Sequence, residues 1–308
     1  MDVRQLQALV AVAETGTFSA AATVLHTVQS NVSAHVARLE RELGVTLVDR
    51  SGGRLTDEGE AVVARSRRVM YELDALRADV AALGAEVRGT AKLGMIGTAG
   101  RWLVPLLLDE LERRHPAIHL VVVEGQSTSL EPRLASGELD VSLLNLSRLS
   151  PDLSAEPLFD EDLVLVVRAD DPWADRAQVS MTDLAERQLL LPVVGTAYRD
   201  EVEAAARDAG VVLRLKAELD GLRLIASLTF EGTAASILPA SAVPSFMRDD
   251  WRSLPVTGLP RRRIVLALRR RGLPSAPARA VIEVLREMVI QAGATDEGIH
   301  PTVASVAH

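Results

Sequence analysis

Gln29, Ser30, Asn31, Ser33, Ala34 and Arg38 fall on one side of a stretch whose other side carries Val32, Val36, Leu39 and Leu43. The apolar set recurs at four, three and four residues, which is the repeat of a helix buried along one face. The opposite face offers an amide, hydroxyls, a guanidinium and little bulk. Such a face suits the DNA major groove, where amides and hydroxyls reach base edges and arginine neutralises phosphate. Gln29, Ser30, Ser33 and Ala34 are the expected base-facing positions, and Asn31 and Arg38 the backbone-facing ones. The same spacing also describes an ordinary helical hairpin.

A second group of residues has chemistry suited to an anion. The strand-like run KLGMI leads into Gly97, Thr98, Ala99, Gly100 and Arg101, and HLVVVE leads into Gly125, Gln126, Ser127, Thr128 and Ser129. Each loop opens a helix, so free backbone N–H groups, hydroxyls and a positive helix end converge there. Thr98, Gly100, Arg101, Gln126, Ser127, Thr128 and Ser129 are therefore candidate ligand contacts, although the hydroxyls equally serve as plain N-caps. Thr196 and Arg199, at the start of a later helix, and Asp220, before another, are weaker candidates. Arg148 faces either a cleft or solvent.

Other patterns carry less. GMIGTAG after a strand imitates a dinucleotide loop and leaves a nucleotide-dependent enzyme built on Gly97–Gly100 as the alternative function. Its spacing is Gly-x-x-Gly-x-x-Gly, however, and its first glycine lies inside the strand. His115 and His119 are separated by Pro116 and a following strand, so they share no helical face and suggest no metal site. The arginines at 261–263 and 269–271 read as solvated strand ends. There is no cysteine, which excludes disulfides, zinc–thiolate sites and thiol catalysis. No Ser-His-Asp motif or phosphate loop occurs, and neither a catalytic residue nor a bound cofactor is expected.

The first group needs elements to hold it. Residues 2–14 read as a helix, and Thr17 is a good N-cap for a second, in which Ala21 and Ala22 lack bulk and let a third helix approach. Thr27 is placed to cap that third helix. VTLVDRSGGRLTDEG then reads as a hairpin whose tip is bracketed by Arg50 and Arg54, placed for phosphate or a minor groove. From residue 57 to about 87 a single helix is expected, with Val62, Val69, Leu73, Leu76, Val80, Leu83 and Val87 forming a heptad seam and Gly89 ending it. That seam packs either on its own domain or on a second chain.

The opening DVRQLQALVAVAETGTFSAAA, the block QSNVSAHVARLERELGVTLVDR and the exit RLTDEGE resemble the LysR-type transcriptional regulators. The hairpin tip is shorter than is usual in that family. WLVPLLLDELERRHPAIHLVVVEG, LASGELDVSLL and EGTAASILPAS are similar to the family's periplasmic-binding-protein-like effector domain. The resemblance implies an α/β chain with an N-terminal winged helix-turn-helix at 1–58, a linker and dimerisation helix at 59–89, and a two-lobed effector-binding domain at 90–292. The lobes would be 90–162 with 266–292, and 163–265, with a mobile tail at 293–308. It further implies pairing of linker helices between subunits, and a small effector bound between the lobes.

The remaining sequence fits two similar lobes. KLGMI, HLVVVE and DVSLLN alternate with helical stretches, and QLLLPV, LRLKAEL and ASILP repeat the order strand-helix-strand-helix-strand. LVLVV at 163–167 and RIVLAL at 263–268 would be the crossovers, with hinges near Asp162 and Ile264. Ligands in such folds sit at the carboxyl ends of strands. A dimer presenting two reading helices is expected to recognise double-stranded DNA as an interrupted palindrome, and further pairing of effector domains would give a tetramer.

Composition sets the outer limits. The 308 residues are 48% hydrophobic, 25% charged and 3% aromatic, a globular composition long enough for about two domains. No apolar run reaches a membrane span and no signal-peptide pattern opens the chain, so no membrane partner and a cytoplasmic location are expected. Net charge is −8, and the arginines of the first seventy residues are balanced by as many carboxylates. DNA affinity must then come from placed contacts and from dimerisation, not from bulk charge. A solute-binding protein, the third reading, is opposed by the missing signal peptide and by the DNA-binding N-terminus.

Overall fold

The computed structural model describes residues 1–49, 54–83, 86–145, 149–244, 247 and 249–302. Helix α1 (Val3–Thr15) starts behind Asp2, whose carboxylate accepts from Gln5 N at 3.0 Å while Gln5 Oε1 accepts from Asp2 N at 2.7 Å. This reciprocal box satisfies two otherwise orphaned donors. Helix α2 (Phe18–Val24) is capped by Thr17, whose Oγ1 accepts from Ala20 N at 3.1 Å. Helix α3 (Gln29–Leu43) departs from expectation at both ends. Its N-cap is Val28, with no side-chain bond, and Thr27 Oγ1 instead accepts from Asn31 Nδ2 at 3.0 Å. Leu43, the last helical residue, is exposed, and Leu47 fills the core in its place. Val32, Val36 and Leu39 pack on Leu9, Val12, Ala21 and Ala22.

Strands β1 (Val48–Asp49) and β2 (Arg54–Leu55) pair antiparallel in the expected hairpin. Its tip, with Arg50, lies outside the described residues, as does Arg148. Glu40 on α3 pins the hairpin's base, accepting from Leu47 N at 2.8 Å and Val48 N at 3.3 Å. Helix α4 (Asp57–Ala82) follows, capped by Thr56. It begins flush against the hairpin: a Cβ on Gly59 would stand 2.1 Å from the Leu47 carbonyl oxygen, so only glycine fits. The helix ends at Ala82, short of the expected residue 87, and Gly89 opens the next strand.

The two long faces of α4 differ. One docks on the chain's own effector region. There Tyr71 lies 3.9 Å under the Arg269 guanidinium, and Arg68 Nε donates to Ala135 O at 3.1 Å. Asp79 Oδ1 accepts from Ala276 N at 3.0 Å and Arg279 Nη2 at 3.1 Å. The other face is bare: Leu76 and Val80 are each 61% exposed and Leu83 88%, with Val69 also exposed and Leu73 half-buried.

The effector region begins with β3 (Gly89–Met95), α5 (Gly97–Arg114), β4 (Ile118–Glu124), α6 (Ser127–Ser136) and β5 (Val141–Leu144). Then come β6 (Leu153–Glu161), β7 (Leu163–Arg168), β8 (Val179–Ser180), β9 (Gln188–Pro192), α7 (Ala197–Asp208), β10 (Arg214–Leu219), α8 (Leu222–Phe230) and β11 (Ala235–Pro239). The chain closes with β12 (Trp251–Thr257), β13 (Arg262–Arg269), α9 (Ala276–Gly293) and β14 (Ile299–Pro301).

These strands form two sheets, ordered β14-β6-β13-β5-β3-β4 and β10-β9-β11-β7-β12-β8. In each, a βαβαβ unit supplies three parallel strands with the first in the middle, which is the internal duplication the sequence displays. Antiparallel strands extend both sheets.

Three expectations shift. β13 lies wholly in the first sheet, with Ile264 in that lobe's core, so the return crossover falls at 258–261 and not at Ile264. β6 and β12 are strands that the sequence did not announce. The expected mobile tail is, as far as residue 302, built in: β14 pairs with β6, and Asp162 N at the first crossover donates to Gly298 O at 2.8 Å. No helix among the described residues is long and apolar enough to cross a membrane.

Candidate DNA-reading helix and interlobe cleft

Gln29, Ser30, Asn31, Ala34 and Arg38 are exposed along α3 and Ser33 is half-buried, while Val32, Val36 and Leu39 hold the helix to the core. The amino end of α3 has no side-chain cap, so its first N–H groups stay available to an oxygen ligand such as phosphate. Arg54 is exposed on β2, directly opposite Asp49. A rigid apolar underside thus presents a small polar face with a wing beside it.

The second site lies between the two sheets. A cavity of about 400 Å3 is lined by the first turns of α5 and α6 from one lobe and of α7 and α8 from the other. Of these four helices only α7 has a side-chain cap, Thr196, whose Oγ1 accepts from Arg199 N at 3.3 Å. The amino ends of α5, α6 and α8 lack one. Four positive helix ends therefore face one volume, three with uncapped N–H groups.

A buried guanidinium, Arg262 on β13, also lines this volume. Its Nη1 donates to Thr98 Oγ1 at 3.0 Å and to Glu161 Oε1 at 3.2 Å. With the Asn145 amide oriented by its neighbours, its oxygen accepts from Arg262 Nε at 2.7 Å and its nitrogen donates to Arg263 O at 3.2 Å. Glu161 is fully buried and also accepts from Ser241 N at 3.0 Å. Burial holds its carboxyl above the usual range, and the Arg262 charge opposes that shift. Burial likewise raises Glu201, again against Arg262. At the rim, Arg223 of α8 and Glu124 of β4 form an ion pair that joins the lobes.

Of the expected ligand residues, Thr98, Gln126, Ser127, Thr128 and Thr196 line the cavity. Ser127 Oγ already accepts from Asn145 N at 2.9 Å. The others are placed elsewhere. Gly100 packs against the Met95 side chain, and Ser129 Oγ turns back to donate to Gln126 O at 2.8 Å. Asp220 precedes the lining residue Gly221 without lining the cavity itself. Arg199 is buried in its own lobe, bonded to Glu203 at 2.7 Å, Pro192 O at 2.7 Å and Glu218 at 2.9 Å. Arg101 lies one turn along α5, 5.5 Å over the Phe230 ring and outside this cavity.

Arg262 corrects the reading of its cluster as solvated strand ends. Arg261 and Arg263 are exposed and paired with Asp162 and Asp160, but Arg262 shares strand parity with Ile264 and Leu266 and points inward with them. That parity was the available signal. Gly97 corrects the dinucleotide resemblance. A Cβ there would stand 2.7 Å from Glu124 Oε1 and 2.9 Å from Arg223 Cδ, so its glycine admits the rim ion pair.

A winged helix-turn-helix joined by a long helix to a two-lobed small-molecule module defines a ligand-controlled DNA-binding regulator of transcription, not an enzyme. Residues 3–60 match the bacterial regulatory helix-turn-helix protein, lysR family, and residues 84–289 match the LysR substrate binding domain. The chain belongs to the LysR family. It is 33% identical over 293 residues to the hydrogen peroxide-inducible genes activator of Escherichia coli O6:H1, covering 94% of this chain and 95% of that protein. A full-length cysteine-to-aspartate variant of OxyR from Pseudomonas aeruginosa superposes with a TM-score of 0.74 at 30% identity, covering 93% of this chain and 94% of that one. Full-length CbnR, solved in complex with its target DNA, gives 0.65 at 28% identity, covering 93% and 99%.

Proposed function

We propose that this regulator works as a dimer, or a dimer of dimers, in the cytoplasm, reading an interrupted two-fold DNA site and answering to a small anion held between its lobes. The division of labour is residues 1–58 for DNA, α4 for pairing, and the two lobes for the signal. Gln29, Ser30, Ser33 and Ala34 face bases. Arg38 and Arg54 meet phosphate or the minor groove, with Arg50 beyond the described residues assigned the same part. Asn31 acts through the backbone, its amide already braced on Thr27. The bare apolar face of α4 supports the pairing, since the bonds α4 makes to its own lobe come from its opposite face.

The observation that carries the anion is the meeting of four helix amino ends and a buried arginine around one cavity. Thr98, Gln126, Ser127, Thr128 and Thr196 are the polar contacts nearest to it. Binding favours one interlobe angle, pivoting at Asp162 and at 258–261, and it moves DNA affinity only by its differential affinity for the two arrangements.

The peroxide-inducible relative and the solved cysteine variant raise the question of redox sensing. This chain has no cysteine, so neither a sulfenic acid nor a disulfide can form in it. Any response of this chain to peroxide therefore cannot run through a thiol.

Selection of bound fragments from the organism's own sheared DNA, followed by footprinting, tests the reading. Protection of an interrupted inverted repeat is expected, with none retained by Ser33→Glu. A protected site without two-fold symmetry, or normal binding by that variant, contradicts it.

A further inference from the structure

Tyr71 is the one aromatic side chain of α4, and it is seated in the first lobe. Its ring lies under the Arg269 guanidinium, which is itself fixed, Nη1 donating to Leu139 O at 2.6 Å and to Leu134 O at 3.3 Å. The Tyr71 hydroxyl accepts from Ser275 N at 3.3 Å and lies beside the Asp140 carboxylate. Asp140 is buried, and its Oδ2 accepts from Lys92 N at 2.6 Å. Burial raises both the phenol and this carboxyl above their usual pKa ranges. A stacked ring with a bonded hydroxyl fixes α4 more firmly than the exposed pair of Asp79 and Arg279, which solvent screens.

This seat stands at one end of two strands whose other end lines the cleft. Asp140 immediately precedes β5, which leads to Asn145, and Lys92 lies on β3, which leads to Gly97 and Thr98. At about 3.3 Å per residue, Asp140 and Asn145 are about 16 Å apart along the strand. The two strands run parallel and interlock. A Cβ on Gly94 of β3 would stand 2.5 Å from Ser142 Oγ of β5, and all of β5 is buried. Close packing of this kind lets neither strand slide without the other. The bonds that a cleft ligand disturbs, those of Thr98, Ser127 and Asn145, lie at the carboxyl ends of this pair.

We infer that Tyr71 is the positioning residue that couples the cleft to the DNA-reading domain, because its side chain pins α4 to the amino ends of the interlocked β3 and β5. This role rests on the DNA and cleft assignments proposed above. From the seat, α4 runs back to the DNA-reading domain, where Arg67 Nη2 faces Glu14 of α1 at 3.5 Å and Gly59 lies flush against Leu47. A displacement at the cleft end of the strands therefore reaches α3 through one helix. By linkage, DNA held on α3 acts back on the cleft by the same factor.

The chain has two tyrosines, and the other, Tyr198, lines the cleft with its hydroxyl donating to Ile237 O at 2.9 Å. Incorporation of 3-fluorotyrosine into the full chain therefore gives two fluorine resonances, one at each end of the coupling, and Tyr71→Phe assigns them. In the chain alone, Asn145→Ala removes side-chain bonds at the far end of β5 and should shift the Tyr71 resonance. When the footprinted DNA fragment is added, the Tyr198 resonance should shift in the wild type and stay in place in Tyr71→Phe. That variant keeps its ring under Arg269, so its DNA affinity should remain within a few-fold of wild type. An anchor with a structural role alone would lower the melting temperature of Tyr71→Phe and leave the Tyr198 response to DNA intact. An unmoved Tyr71 resonance in Asn145→Ala overturns the inference whether or not DNA binds. So does a Tyr198 resonance that ignores bound DNA in the wild type, or one that shifts as fully in Tyr71→Phe. A wild-type chain that binds no DNA contradicts the proposed function instead, and the Asn145→Ala result still decides the coupling between cleft and linker.

Discussion

The polar face of α3 and the interlobe cleft are both polar surfaces, yet they stand in opposite states. On α3 the groups other than the half-buried Ser33 are exposed, and they make almost no bonds within the chain, Asn31 excepted. In the cleft the arginine, carboxylate and hydroxyls bond one another: Arg262 holds Thr98, Glu161 and Asn145, and the backbone of Asn145 holds Ser127. On the proposed reading, the α3 face gains bonds on meeting DNA and loses little but hydration. An anion entering the cleft would have to trade internal bonds for ligand bonds, so its net affinity would be a small difference between large terms. That difference suits a switch, because a ligand can then tip the lobes without being held irreversibly.

The largest expected effect concerns the cleft's internal bonds. Arg262→Met leaves Glu161 buried without its partner, and unfolding in denaturant should show a loss of about 3–5 kcal/mol. Adding Glu161→Gln should recover most of it, because the uncompensated charge is then gone. If Arg262→Met costs nothing, the cleft is not self-satisfied and the contrast fails.

Next comes the exposed face. Ser33→Glu brings a carboxylate into the negative field of the groove and should weaken operator binding by at least about a hundred-fold, with like-charge repulsion of several kcal/mol, while the melting temperature stays near wild type. Fluorescence anisotropy with the footprinted site measures it.

The linker lies between the two regions and links them. Leu76→Asp puts a charge in the outward seam and should shift the chain from dimer to monomer in light scattering, lowering operator affinity. A variant that stays dimeric would move the pairing surface off α4. The smallest effect should come from Ser127→Ala. It removes the acceptor for Asn145 N, about 1 kcal/mol or less, and should weaken the effector response a few-fold while DNA binding without effector is unchanged. An effector response at wild-type concentrations would take Ser127 out of the site.

The two regions also differ in how far the sequence disclosed them. The α3 stripe was readable because one helix packs on near neighbours, and three of its four apolar positions are buried. Leu43 is exposed because the helix ends there, at the left-handed turn of Gly44. The loops of Thr98 and Ser127 were visible as strand-to-helix turns. Arg262 was hidden inside a run of three arginines, where composition suggested solvent and only strand parity pointed inward. β6 was hidden by Pro157, which sits where the β6–β13 register slips and breaks the alternation. The tail has no periodicity, and its place is fixed by partners remote in sequence: Trp102 on Asp296 and β6 beside β14. Arg101 and Arg199 looked equivalent as helix-start cations. Their surroundings, an aromatic ring for one and carboxylates for the other, come only with tertiary structure.

The central claim is that helix amino ends and Arg262 make the cleft a receptor for an anion. The most direct measurement is thermal melting of the chain against a panel of small carboxylates, phosphate esters, their neutral amides and cationic amines. Stabilisation by anions alone is expected, and it should disappear in the Arg262→Met, Glu161→Gln pair, which keeps the buried site neutral. Stabilisation by a neutral or cationic compound, or by an anion that acts equally on the paired variant, would contradict the claim.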